Sequence, residues 1–197
     1  MNIAVADEIQ RALAEYVEEP SPGLVLELHV ARLLDAESCT ALMERLHKQG
    51  GPWEVVPAKE HLDAQLPKTS GLYMFVWSTP AVLSSENEDY PLKYPLYVGK
   101  AGNQGGSTLR TRYKEYSAFI AGDMGKLWET NHPKTRNAML AKWLTLKPLE
   151  YWFLSLPTVE DDEISRLEKR LIRLLNPPLN RSHKPSLRIA AKTSPAF

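Results

Sequence analysis

The chain has 197 residues, with 24 Lys+Arg against 24 Asp+Glu, 43% hydrophobic residues and one Cys, which suffices for one good core or two small ones and excludes wholesale disorder. The lone thiol, Cys39, can neither close an internal disulfide nor begin a zinc cluster, no apolar run approaches the roughly 18 residues that cross a bilayer, and the start MNIAVADEIQ lacks a basic stretch leading into an apolar one, so a cytoplasmic protein without membrane association is expected. Zero net charge conceals an asymmetry: residues 1–66 hold five basic and twelve acidic side chains and the remainder nineteen basic and twelve acidic, the pattern of a polyanion-binding portion joined to an acidic one, or more plainly of a solvated acidic helix face.

In chain order, Asp7 to Glu19 sets Ile9, Ala12, Leu13, Tyr16 and Val17 at helical spacing before Pro20-Ser21-Pro22-Gly23, and residues 24–30 (LVLELHV) alternate as a strand does. Asp35 is placed to cap a second helix with the stripe Leu42, Met43 and Leu46, ended by Gly50-Gly51-Pro52. The run GLYMFVW (71–77) predicts a buried strand, residues 84–89 (SSENED) a polar loop, and Tyr94 to Val98 a second strand ending at Gly99, the two forming a hairpin. A glycine-rich turn precedes a helix over Thr108 to Ile120, on Leu109, Tyr113, Tyr116 and Ile120. Ala138 to Leu146 is a further amphipathic helix, Leu149 to Leu156 a third strand, and Glu160 to Leu175 a strongly periodic helix closed by Asn176-Pro177-Pro178. The organisation read from this is an acidic N-terminal segment over 1–66, helical or mixed, a domain over 67–182, and a basic, flexible tail over 183–197.

An ordered set of residues stands on these elements. It comprises Gly71-Leu72-Tyr73 and Tyr97-Val98-Gly99-Lys100 on the hairpin, Leu109-x-x-Arg112-x-x-x-Tyr116 on the next helix, Leu167-Glu168-x-x-Leu171-Ile172 on the last helix, and Asn180 twelve positions beyond Glu168. Over residues 71–181 the chain resembles the GIY-YIG endonuclease superfamily, whose named tripeptides stand here as GLY and YVG. Twenty-three residues separate Tyr73 from Tyr97, longer than the tight hairpin of the family's repair and homing members and more like its stand-alone restriction-enzyme branch. The resemblance implies an α/β (α+β) nuclease fold, a small three-stranded mixed sheet flanked by helices, and a Mg²⁺-dependent (or Mn²⁺-dependent) endonuclease acting on double-stranded DNA. A restriction-like member with one site per chain would work as a homodimer, cutting both strands of a palindrome.

These residue types suit that chemistry. Hydrolysis of a phosphodiester needs a water deprotonated, charge on the phosphate offset and a leaving oxygen stabilised. Glu168 supplies a hard oxygen ligand to one Mg²⁺, whose remaining positions are filled by water and phosphate, and Arg112 offers a planar fork to the scissile phosphate. The resemblance favours Tyr73 as the general base. Either Tyr73 or Tyr97 would need its phenol lowered by the metal, Lys100 or Arg112, and Tyr97 and Tyr116 would hold the water and phosphate. Lys100 would lower a phenol or touch the phosphate, and Asn180 would orient a backbone group or a water on the metal.

Between Lys100 and Pro148 there are nine basic and three acidic residues interleaved with Tyr113, Tyr116, Trp128 and Trp143, a phosphate-tracking pattern. Lys100, Arg110, Arg112, Lys114, Arg136 and Lys142 are the expected nucleic-acid contacts, Arg110 being a poorer match than Arg112 for the helix arginine. The acidic stretch 84–89 would repel a phosphate backbone. Each residue also has a plainer role: a strand tyrosine is usually a core aromatic, and Glu168 could pair with Arg166, Lys169 or Arg170, although its place beside Leu167 and Leu171 puts it at the edge of the apolar stripe. The alternatives from other classes are a non-catalytic nucleic-acid-binding module of the same fold, a nuclease acting in repair or on RNA, and an acidic N-terminal segment that masks the basic face.

Overall fold

The computed structural model describes residues 35–84, 88–102, 106–128 and 133–182. The helix expected over 7–19, the strand over 24–30 and the tail 183–197 lie outside them. Helix α1 (Ala36–Gly50) begins as expected at Asp35, whose carboxylate accepts a hydrogen bond from the Ser38 amide at 3.1 Å. It buries Leu42 and Leu46, whereas Met43, expected in the same stripe, faces solvent. Strand β1 (Glu54–Pro57) and a 3₁₀ turn over Leu62–Gln65 lead to the hairpin of β2 (Gly71–Ser84) and β3 (Asp89–Ala101). Helices α2 (Leu109–Ile120) and α3 (Arg136–Trp143), strand β4 (Leu149–Ser155) and helix α4 (Asp161–Leu175) complete the order.

The sheet has four strands in the order β1-β4-β2-β3, and every neighbouring pair is antiparallel. Two expectations are corrected here: the sheet is neither three-stranded nor mixed. The fourth strand, Glu-Val-Val-Pro, is too short to carry a pattern of its own and forms because β4 presents it with a pairing edge over Glu150 to Phe153. No parallel pair arises because β3 and β4 both run against β2, which lies between them. The chain from β3 to β4 must therefore cross β2, and α2 and α3 make that crossing on one face.

The alternation of β2 divides the core. Tyr73 and Phe75 point into a cluster with Tyr97, Leu109, Tyr113, Tyr116, Leu140 and Trp143, and Leu72, Met74 and Val76 into a second cluster with Leu42, Leu46, Ile164, Leu167 and Leu171. Covered on both faces, β2 reads as a continuous apolar run in place of an alternating one. The expected boundary at residue 66 falls within this arrangement, since β1 pairs in the sheet and α1 shares a core with α4. The acidic stretch 84–89 is also less of a loop than expected: β2 and β3 continue as a two-stranded ribbon to the pair Ser84 and Asp89, past an irregularity between Ser78 and Val82 that contains Pro80. The backbone pairing of the ribbon carries the strand where side-chain alternation does not. Among the described residues no helix is long and apolar enough to cross a membrane.

Candidate functional site

The two tripeptides meet face to face. Tyr73 and Gly99 are directly paired across β2 and β3, and a Cβ at Gly99 would lie 2.5 Å from the Cζ and Oη of Tyr73, so only glycine leaves room for the phenol to lie across the strand. At Gly71 a Cβ would collide with the Leu154 carbonyl oxygen of the neighbouring strand. Helix α2, started by a capping box on Thr108 and Thr111, brings Tyr116 against the same face. The Tyr73 and Tyr116 hydroxyls are 2.9 Å apart, and Tyr116 donates a longer contact of 3.5 Å to the Tyr97 hydroxyl. From the start of α3, Arg136 Nη2 donates to the Tyr97 oxygen at 2.6 Å and to that of Tyr116 at 3.0 Å, with the guanidinium 5.3 Å from the Tyr97 ring centre.

For Tyr73 and Tyr97 burial outweighs any lowering by Lys100 or Arg112. Burial and then the neighbouring phenols hold Tyr73 well above the ordinary tyrosine value. Tyr97 is also raised, by burial and Tyr116, against a smaller opposing pull from Arg136, which is the cation that reaches its hydroxyl. In this arrangement Tyr73 and Tyr97 are neutral hydrogen-bonding groups.

Of the other expected residues, Lys100 and Arg112 both act electrostatically on Glu168. Lys100 points to the α4 side, where Nζ donates to Ser165 Oγ at 2.5 Å. Glu168, half-buried on α4, makes no hydrogen bond or ion pair to another described residue; burial raises its carboxyl, and the charges of Lys100, Arg112 and Lys169 draw it back down. The charge of Arg112 interacts with Tyr73 and Tyr116 on one side and with Glu168 on the other. Its Nη1 is held by Glu115 at 3.0 and 3.2 Å, while Nε is buried with no partner. Arg112 Nε is thus a buried donor without a partner among the described residues, while the half-buried Glu168 carboxylate is open to solvent or an ion.

Other expected residues are committed elsewhere. Asn180 is buried and its amide completes the outer edge of β3, accepting from Val98 N at 2.9 Å and donating to Val98 O at 2.8 Å, so of its two expected roles it takes the backbone one. Arg110 donates to the carbonyls of Leu66 and Ala64 at 3.0 and 2.9 Å, tying α2 to the 3₁₀ turn. Lys114 is exposed, and Lys142 lies 5.6 Å from the Trp143 ring centre. Sequence reasoning placed Arg136 only as a phosphate contact and passed over Glu115 and Ser165. No periodicity couples Arg136 to tyrosines on two other elements, although Glu115 was legible as an i,i+3 partner of Arg112.

Among the described residues no three His, Cys, Asp or Glu side chains come together, so the donors do not form a closed transition-metal cage. A single half-buried carboxylate without an internal partner does fit Mg²⁺, which commonly takes one or two protein carboxylates and completes its octahedron with water and phosphate oxygens. No family model, no curated protein and no solved structure matches the chain.

Proposed function

We propose that the chain is a Mg²⁺-dependent endonuclease of the GIY-YIG type, hydrolysing DNA phosphodiester bonds. The observation that carries the reading is the convergence of Tyr73, Tyr97 and Tyr116 with Arg112, in electrostatic reach of an unpaired Glu168, from four elements far apart in the sequence. Glu168 would hold the Mg²⁺, whose chemistry is to polarise the phosphate and to favour loss of a proton from water. Arg112 places its guanidinium charge near the scissile phosphate and offsets charge gained in the transition state. The phenols orient water and phosphate by hydrogen bonds, with Tyr73, which burial keeps neutral, seated deepest. Lys100, held by Ser165, adds positive charge beside Glu168. A restriction-like member acting as a homodimer on double-stranded DNA is the finer form of this proposal.

The raised phenols favour one competing reading, a nucleic-acid-binding module of the same fold without catalysis. The deciding experiment is conversion of supercoiled plasmid to nicked or linear form with Mg²⁺, with EDTA as control and Glu168→Ala as the comparison. Cleavage lost in EDTA and in the variant supports the nuclease; salt-sensitive DNA binding with no cleavage of DNA or RNA refutes it in favour of the binding module.

A further inference from the structure

Arginine is a hydrogen-bond donor only, so each phenol oxygen that meets Arg136 must accept. Tyr97 accepts at 2.6 Å from Arg136, and the contact with Tyr116 runs with Tyr116 as the donor. With its oxygen receiving both bonds, the Tyr97 hydroxyl donates to no described residue, and its proton is available to a group outside them. The guanidinium is steadied by both phenols and by its stacking on the Tyr97 ring, which fixes the direction of the O–H at little further entropic cost.

We infer that Arg136 is a positioning residue: it bridges Tyr97 and Tyr116 and turns the Tyr97 hydroxyl proton outward, as a donor to a phosphate oxygen of the substrate. This rests on the nuclease reading for its substrate, and on the bridge alone for its geometry. Tyr97 then acts as a neutral phosphate donor and not as the base, since burial and Tyr116 outweigh the pull of Arg136 toward the phenolate. Arg136 acts through Tyr97 and differs from an ordinary backbone contact, whose removal weakens binding at every sequence alike.

The test has two arms. In the first, which needs no cleavage, the protein carries ¹³Cζ-labelled tyrosine, with the Tyr97 resonance assigned by Tyr97→Phe. Arg136→Met is expected to move the Tyr97 and Tyr116 resonances and leave Tyr113 and Tyr90 in place; an unmoved Tyr97 overturns the bridge whether or not the protein cuts DNA. In the second, plasmid cleavage is measured for Arg136→Met, Tyr97→Phe and the double variant, with Arg136→Lys as the conservative change. Loss of about tenfold or more in kcat at little change in KM, partial recovery with Lys, and no additional loss from Arg136→Met once Tyr97 is Phe are expected of a residue acting through Tyr97. Equal losses in both backgrounds, together with a salt slope of DNA affinity about 0.9 shallower, would make Arg136 a plain phosphate contact and overturn the proposal.

Discussion

Replacement of Asn180 by Ala removes the two bonds that close the outer edge of β3, and the Val98 amide and carbonyl are then left without partners at a residue with no exposed surface. A buried backbone group stripped of its bond costs about 1–3 kcal/mol, so two cost about 4 kcal/mol at the centre of the range. For a chain of this size each kcal/mol moves the midpoint by about 2–4 °C, which predicts a fall in Tm of about 8–16 °C. Native domains hold about 5–15 kcal/mol, so the variant remains folded near 15 °C, where its cleavage can be compared with wild type after correction for the folded fraction. Residual activity should then be substantial, because the amide touches the strand that carries Tyr97 and not the reacting groups. Thermal and urea unfolding followed by circular dichroism give the first quantity, and plasmid conversion the second. A variant that melts within about 2 °C of wild type but cuts nothing would refute the reasoning and move Asn180 into the reaction itself.

Glu168→Gln should abolish cleavage by about 100-fold or more while leaving the protein at least as stable as wild type at pH 7. Because burial raises this carboxyl, the folded state binds its proton more tightly than the unfolded chain does, so its effect on stability is most favourable at low pH and is lost as pH rises through the raised value. Cleavage should show the opposite dependence, rising through that same value, and urea unfolding of both proteins between pH 4 and 8 alongside a rate profile checks the sign. Glu115→Gln frees Arg112 from a half-exposed ion pair at 3.0 Å and should tighten DNA binding about two- to fivefold at low salt, read by fluorescence anisotropy in EDTA; unchanged or weaker binding would count against Arg112 as a phosphate contact. Gly99→Ala sets a methyl 2.5 Å from the Tyr73 phenol and should cost about 1–3 kcal/mol and alter the near-ultraviolet dichroism of the tyrosine cluster; a wild-type melt and spectrum would contradict the pairing of the two tripeptides.

Much of the local structure was legible. The cap at Asp35, the helix over Leu109–Ile120, the hairpin, the strand from Leu149 and the stop at Asn176, which adopts the left-handed conformation at φ 44° ahead of two prolines, all follow from patterns shorter than 20 residues. Glu168 was placed correctly at the margin of its stripe, half-buried beside Leu167 and Leu171. The ribbon beyond Ser78 and the strand at Glu54 were not legible, because each depends on a backbone partner elsewhere and carries exposed positions with no alternation to detect.

What the sequence alone determined about this protein is which segments are helix or strand and which residue types stand at 73, 97, 99, 112, 116 and 168, since local sterics, capping and hydrophobic period act over a few residues. Tertiary structure decided how those residues are used. It placed β2 between two strands that both oppose it, assigned Asn180 and Arg110 to holding backbone, and brought Arg136 onto phenols 20 and 39 positions away in the chain. A side chain's protonation and the direction of its hydrogen bond depend on burial and on neighbours that meet only when the sheet is assembled.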